Sequence, residues 1–261
     1  MCLILVGIAA RPGSRMLLLA NRDEFHARAA APAAPWEDDP GVVGGRDLVA
    51  GGSWLAVRGD GRFAAVTNLR NGLPQPAPRS RGELVSRFVR GGEDAASWLD
   101  ALRGHIDDYA PFNLVLGDAA GAFAFDGTTR TVRGLEPGLH AISNGPIDRD
   151  WPKMRRIRAA VADALAHGAG DDDLLALLRD PEPAPDAQLP DTGFGLERER
   201  QLSPIFIAGT DYGTRASTLV EQGGDGALRL VELGFGAGGR ASGRSAWHHR
   251  RGEGWRPGRE G

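Results

Sequence analysis

The first half of the chain is punctuated as a series of hairpins, and this limits its fold more than any other feature. Residues 3–10 and 16–20 are short apolar runs separated by Arg11-Pro12-Gly13-Ser14. Two such runs around a turn signal predict an antiparallel pair. Residues 53–57 and 62–68 repeat the pattern around Gly59-Asp60-Gly61, and residues 113–116 and 121–126 repeat it around Gly117-Asp118. Residues 140–143 read as a further short strand, and 205–208, 217–221 and 227–233 as closing strands. Helical spacing covers 81–90 and 95–102. It returns over 151–167, with Pro152 in the first turn where its missing N–H does no harm, and over 171–178, whose acids stand at the helix start. Antiparallel strands interspersed with helices predict an α+β domain of layered, mainly antiparallel sheets.

Three stretches read as irregular. Residues 27–40, rich in Ala and Pro, predict a loop with Trp36 as an anchor, and the proline-rich 180–190 predicts a surface loop. From 236 to 261 Gly and Arg dominate and apolar periodicity is lost, so the expectation is one domain over 1–235 followed by a disordered tail.

Composition narrows the function classes. The 261 residues are enough for a large core, and a net charge of -3 points neither to nucleic acid nor to an anionic membrane. Every basic residue is Arg except Lys153. A single cysteine excludes an intrachain disulfide and suits a reducing compartment. The opening apolar run is far shorter than the ~20 residues that span a bilayer, and no basic segment precedes it. The expectation is a soluble, cytoplasmic protein with no integral membrane segment and no nucleic-acid partner.

The one thiol, Cys2, is the most informative side chain. Removal of the initiator Met would make it the N-terminal residue, with an α-amino group of pKa ~7.7–8.0 beside it to accept the thiol proton. A small half-buried residue at a strand edge is the plainer reading of the same position. After the partner strand come Asn21-Arg22-Asp23-Glu24, which an antiparallel pairing brings near Cys2. There Arg22 would favour a thiolate and Asp23 could hold an ammonium. Other signals fail on context: the glycine pattern at Gly234, Gly236 and Gly239 precedes no helix, and the histidines are too scattered for a zinc or other metal site.

The quartet Asn21-Arg22-Asp23-Glu24, with Met1-Cys2 at the start, resembles the NRDE family, also called the Transport and Golgi organisation protein 2 family. Gly51-Gly52-Ser53-Trp54-Leu55, Val66-Thr67-Asn68-Leu69-Arg70 and Phe112-Asn113-Leu114-Val115-Leu116-Gly117-Asp118 are similar to its next segments. Ser143-Asn144-Gly145 with Trp151-Pro152-Lys153, and Tyr212-Gly213-Thr214-Arg215, follow in the same order. The resemblance implies an N-terminal-nucleophile hydrolase-like fold, a four-layer αββα sandwich. Cys2, Arg22 and Asp23 are similar in type and order to the nucleophile, Arg and Asp of the bile-salt and penicillin acylases, although spaced differently.

Two functions are then expected. The first is a cysteine amidohydrolase or acyltransferase acting on a small amide, with Cys2, Arg22, Asp23 and Asn144 as catalytic candidates and Asn68 as an alternative oxyanion donor. Asn21, Glu24, Asn68, Asn113 and Arg215 would bind the substrate, and no cofactor is required. The second is a non-enzymatic protein that binds and traffics haem or an acyl-CoA or other lipid on the same fold. The oligomeric state is left open.

Overall fold

The computed structural model describes residues 2–72, 76–147 and 149–258. Among these, fourteen strands form two seven-stranded sheets. The first sheet has the order β10-β1-β2-β11-β12-β13-β14, from Gly138–Ile142, Cys2–Ile8, Ser14–Phe25, Tyr212–Gly223, Leu228–Phe235, Ala241–Arg250 and Gly254–Pro257. The second runs β3 to β9 in chain order, from Ala30–Trp36, Asp39–Asp47, Leu55–Arg58, Phe63–Asn68, Phe112–Gly117, Ala122–Asp126 and Thr131–Gly134. All strand pairs are antiparallel.

Period-two alternation builds the layers. Ile4, Val6, Leu18, Ala20 and Val220 of the first sheet meet Val43, Val57, Ala65 and Val115 of the second in a core between the sheets. Leu3, Leu5, Leu17, Leu19 and Leu219 face the other way, against Ile157 and Val161 of α3 (Pro152–Ala166) and Leu174 of α4 (Asp171–Leu177). The outer face of the second sheet packs Ala64, Leu114 and Leu116 against Leu84 and Phe88 of α1 (Arg81–Arg90) and Leu99 of α2 (Ala95–Leu102). The result is the expected four-layer αββα sandwich. A short α5 (Leu196–Gln201) follows the proline-rich segment. No helix among the described residues is long and apolar enough to cross a membrane.

The structure corrects three expectations. Residues 27–40 are not a loop but hold β3 and the start of β4. Pro32 and Pro35 are tolerated because β3 is an edge strand, where a missing N–H breaks no second ladder, and the register shifts beside both. Residues 205–208 form no strand, since the Ile207 N–H is taken by the Thr214 hydroxyl at 2.9 Å and the Phe206 N–H by the Asp180 carbonyl. The Gly/Arg tail is ordered through residue 258, with β13 paired to β12 and β14 to β13. Two tryptophans pin it across the sandwich: Trp247 Nε1 donates to the Ala33 carbonyl at 2.9 Å and Trp255 Nε1 to the Gly41 carbonyl at 3.0 Å.

Candidate active site

Cys2 opens β1 opposite Arg22 of β2. Opposed residues share a face, so both side chains lie on the side between the sheets, continuing the rows Ile4–Val6 and Leu18–Ala20. Asp23, one residue on, falls on the outer face with Asn21. The adjacent Arg and Asp therefore flank the start of β1 from opposite sides of one sheet. The Cys2 carbonyl is fixed by the Ser143 hydroxyl at 3.1 Å. The Arg22 guanidinium stacks on Trp54 with its carbon 4.2 Å from the ring centroid. A Cβ on Gly45 would stand 2.1 Å from that indole, so only glycine leaves room for the stack.

A bulge in β11 completes the outer side. Asp23 pairs with Thr214, but Arg22 pairs with Ala216, leaving Arg215 as the extra residue. Without it Thr214 and Ser217, three positions apart, would face opposite ways. With it both point outward, Thr214 Oγ1 donating to Asp23 Oδ1 at 2.7 Å and Ser217 Oγ to Asn21 Oδ1 at 2.6 Å. The Tyr212 hydroxyl reaches the Asp23 carbonyl at 3.1 Å.

Above these residues lies a cavity of about 860 Å³ that includes Cys2, Arg22, Asp23, Glu24, Trp54, Asn68 and Tyr212 in its wall. That volume lies within the range of small-molecule sites. Arg28, Arg70, Arg79, Arg81 and Arg198 also line it. Arg28 is paired with Asp47, Arg70 with Glu199 and Arg79 with Glu83. Arg22, Arg81 and Arg198 have no carboxylate within ion-pair distance among the described residues, so the wall carries excess positive charge.

Of the residues expected in the site, Cys2, Arg22, Asp23, Glu24 and Asn68 meet at this cavity. Four do not line it. Asn21 is fully buried and its Nδ2 donates to the carbonyls of Leu178 and Ile205, both at 2.8 Å, so it ties β2 to the helical layer. Asn113 is equally buried, donating to the Ser143 and Gly145 carbonyls and accepting from the Gly127 N–H. Arg215, thrown out by the bulge, donates to the carbonyls of Phe25 and Arg28 and borders a separate cavity of about 270 Å³. Asn144 donates its amide hydrogens to the main-chain and side-chain oxygens of Asn68 at 2.9 and 3.0 Å. It positions Asn68, whose own Nδ2 has no acceptor among the described residues. Asn21→Ala should strand two buried carbonyls at a cost of about 2–4 kcal/mol. Calorimetry should show the lower melting temperature, with the reactivity of Cys2 toward a thiol probe unchanged.

Three charged residues outside the expected site are buried near it, and of these Arg70 lines the cavity. Lys153, at the start of α3, is 2% exposed and donates to the Leu202 carbonyl at 3.3 Å. Arg70 and Glu199 form a buried ion pair at 2.7 Å, with the Arg70 guanidinium over Trp151. Burial pushes the Cys2 thiol above its ordinary pKa; Asp23 adds to this and Arg22 opposes it. Burial also raises the Asp23 carboxyl, against the charge of Lys153. Lys153 is pulled down to about 8 by burial and by Arg70.

Comparison with known proteins bears on this geometry. The profile of the family described as Transport and Golgi organisation 2 matches residues 1–236. The Transport and Golgi organization protein 2 homolog of Bos taurus is 31% identical over 89% of this chain and 92% of its own length. The Homo sapiens homolog is 29% identical over the same shares. Similar solved structures include an N-acylethanolamine-hydrolyzing acid amidase ortholog of Caenorhabditis elegans, at 10% identity and TM-score 0.47, covering 84% of this chain and 92% of that one. Another is the C2A mutant of the conjugated bile acid hydrolase of Clostridium perfringens, at 9% identity and TM-score 0.48, covering 100% and 97%. On the family match and the coverage of its relatives, the chain belongs to the Transport and Golgi organisation 2 family.

Proposed function

We propose that this protein, once Met1 is removed, is an N-terminal cysteine amidohydrolase or acyltransferase acting on a small amide that carries an anionic group. The observation that carries this reading is Cys2 at the start of β1, opening on a cavity with Arg22 and Asp23 on opposite sides of it. Because burial holds the thiol protonated, a base must take its proton during attack. The α-amino group of Cys2 is the base closest in the chain. The thiol proton passes to that nitrogen as sulfur bonds to the amide carbon and the carbonyl oxygen becomes an oxyanion. Asn68 Nδ2, in the same cavity wall, would be the donor to it. The amine then returns the proton to the leaving nitrogen, the C–N bond breaks, and water or an acceptor amine cleaves the thioester. Arg22, Arg81 and Arg198 select an anionic end. A free thiol nucleophile suits a reducing compartment such as the cytoplasm.

The second reading is a carrier for haem or an acyl-CoA or other lipid, favoured by the same cationic wall and volume. The two part on a panel of N-acyl amides differing only in terminal charge, with amine release as the readout. The enzyme reading expects turnover of the carboxylate-bearing members at least tenfold above the cationic ones, abolished in Cys2→Ala. Absence of release from every member, with haem or acyl-CoA bound equally by wild type and Cys2→Ala, would replace it by the carrier.

A further inference from the structure

The face of the first sheet that looks toward the second loses its side chains along one cross-strand row. Strand pairing sets Cys2, Arg22, Ala216, Gly234 and Gly243 side by side on β1, β2, β11, β12 and β13. Beyond Arg22 the row is an alanine and two glycines, whereas further along the same two strands Leu230 and Trp247 fill the core. Opposite the row, β3 offers only the short Ala30, Ala31 and Pro32, and a cavity of about 270 Å³ is left between the sheets. Ala33 holds β3 over it: its N–H donates to Glu232 Oε1 at 2.7 Å and its carbonyl accepts from Trp247 Nε1. The volume is close to the lower end of small-molecule sites. Arg22 and Trp54 belong to the walls of both this cavity and the larger one.

Three polar groups of this wall are donors without acceptors. Arg22 is 6% exposed, and its guanidinium stacks on Trp54 but meets no hydrogen-bond acceptor or carboxylate among the described residues. Arg215 Nε and Ser245 Oγ are buried, and neither has a hydrogen-bond partner among the described residues. Buried donors left in this state are destabilising, most of all when charged. Glu232, also in the wall, does not answer them, because its oxygens accept the Ala33 N–H and, at 3.1 Å, the Thr218 hydroxyl. Arg244 is paired with Asp172 at 2.8 Å. Arg22 and Arg215 set against Glu232 therefore leave the wall with one positive charge in surplus.

We propose that the smaller cavity is a second binding site, for a small monocarboxylate with an apolar body, held by the Arg22 guanidinium, the Arg215 Nε–H and the Ser245 hydroxyl. A planar carboxylate matches the guanidinium fork, and its single charge balances the surplus. The apolar body lies against Ala31, Pro32 and Phe235. At about 4.8 Å per strand, Gly234 stands roughly 14 Å from Cys2 along the row. The carboxylate therefore meets Arg22 from the side away from the thiol. The site stands whether or not Cys2 is a nucleophile, and what it shares with the larger cavity is the Arg22–Trp54 stack.

Titration calorimetry of the full chain with benzoate, benzamide and benzylamine tests it, since the three are similar in shape and differ in charge. Benzoate should bind at least tenfold more tightly than either of the others. Gly243 lies on the same face of β13 as Ser245, and a Cβ added to it meets nothing within 4 Å. Gly243→Leu therefore fills the cavity without a clash at Cβ, and should weaken benzoate at least tenfold. Ser245→Ala removes one donor and should weaken it about fivefold. Arg198→Ala, which alters the larger cavity alone, should leave the affinity unchanged. Equal affinity for benzamide, or no saturable binding of benzoate, would overturn the proposal. So would benzoate binding that survives Gly243→Leu and falls with Arg198→Ala, which would put the carboxylate in the larger cavity. None of these readouts needs Cys2 to react.

Discussion

Cys2→Ala is expected to abolish acyl-enzyme formation, and Asp23→Ala to reduce its rate by about a hundredfold or more. The thiol is the only one in the chain, and the hydroxyls of Ser53, Ser80 and Tyr212 in the same wall have no adjacent α-amino group to activate them. Effects of removing a nucleophile or its base run from about 10² upward. Asp23 acts differently. It does not touch the reacting carbonyl in the mechanism proposed, and it lies on the outer face of the sheet. Its loss should slow the reaction by misplacing the amine, while the thiol remains open to small alkylating reagents. Stopped-flow acylation set beside iodoacetamide labelling separates the two cases. Cys2→Ala should lose both, and Asp23→Ala only the first.

The second large effect is on stability. Lys153 titrates at about 8 in the folded protein against an ordinary 10.5. A base whose folded pKa is depressed binds its proton more weakly in the native state. Its contribution is present above the unfolded value and lost as pH falls through the folded one. Between pH 8 and 10.5 the native state has released this proton and the unfolded state has not, so stability rises with pH. The gap is worth about 3 kcal/mol at 1.36 kcal/mol for each pKa unit. Tyr212, raised well above its usual value by burial, pulls the other way at the top of the range. The clean readout is therefore the difference between wild type and Lys153→Met in chemical unfolding at pH 7.5 and 10.5. That difference should shift by about 3 kcal/mol in favour of wild type as pH rises. An unchanged difference would mean that Lys153 keeps its ordinary pKa.

Much of this architecture is legible in the sequence because the sheets are amphipathic on a two-residue period. The hairpins of β1 with β2, β5 with β6 and β7 with β8 are visible as runs around glycine turns, and α1 to α3 lie where their spacing puts them. What escapes is held by tertiary context. β3 reads as an Ala/Pro loop because an edge strand tolerates prolines that a central strand does not. β13 and β14 lie in a Gly/Arg background whose order comes from two tryptophans crossing to β3 and β4, and averaging over composition conceals them.

The site divides along the same line. Cys2, Arg22 and Asp23 are found by strand pairing alone. Asn21 stands in the same motif but points outward to two carbonyls, because odd positions of β2 face the helices. Arg215 is displaced by a bulge that no spacing argument reveals. Lys153 is visible as the single lysine among arginines and as the end of the Trp151-Pro152-Lys153 segment, but neither signal says that it is buried. Its burial appears only when α3 is folded over the outer face of the first sheet and its ammonium meets the Leu202 carbonyl.

The intact mass of the purified native protein, before and after a mild acylating probe, decides whether Cys2 is an N-terminal nucleophile. The expected result is loss of the Met1 mass and a gain of one acyl group on Cys2, absent from Cys2→Ala and strongly reduced in Asp23→Ala. A retained Met1, or a Cys2 that stays unacylated in the folded protein, would contradict it.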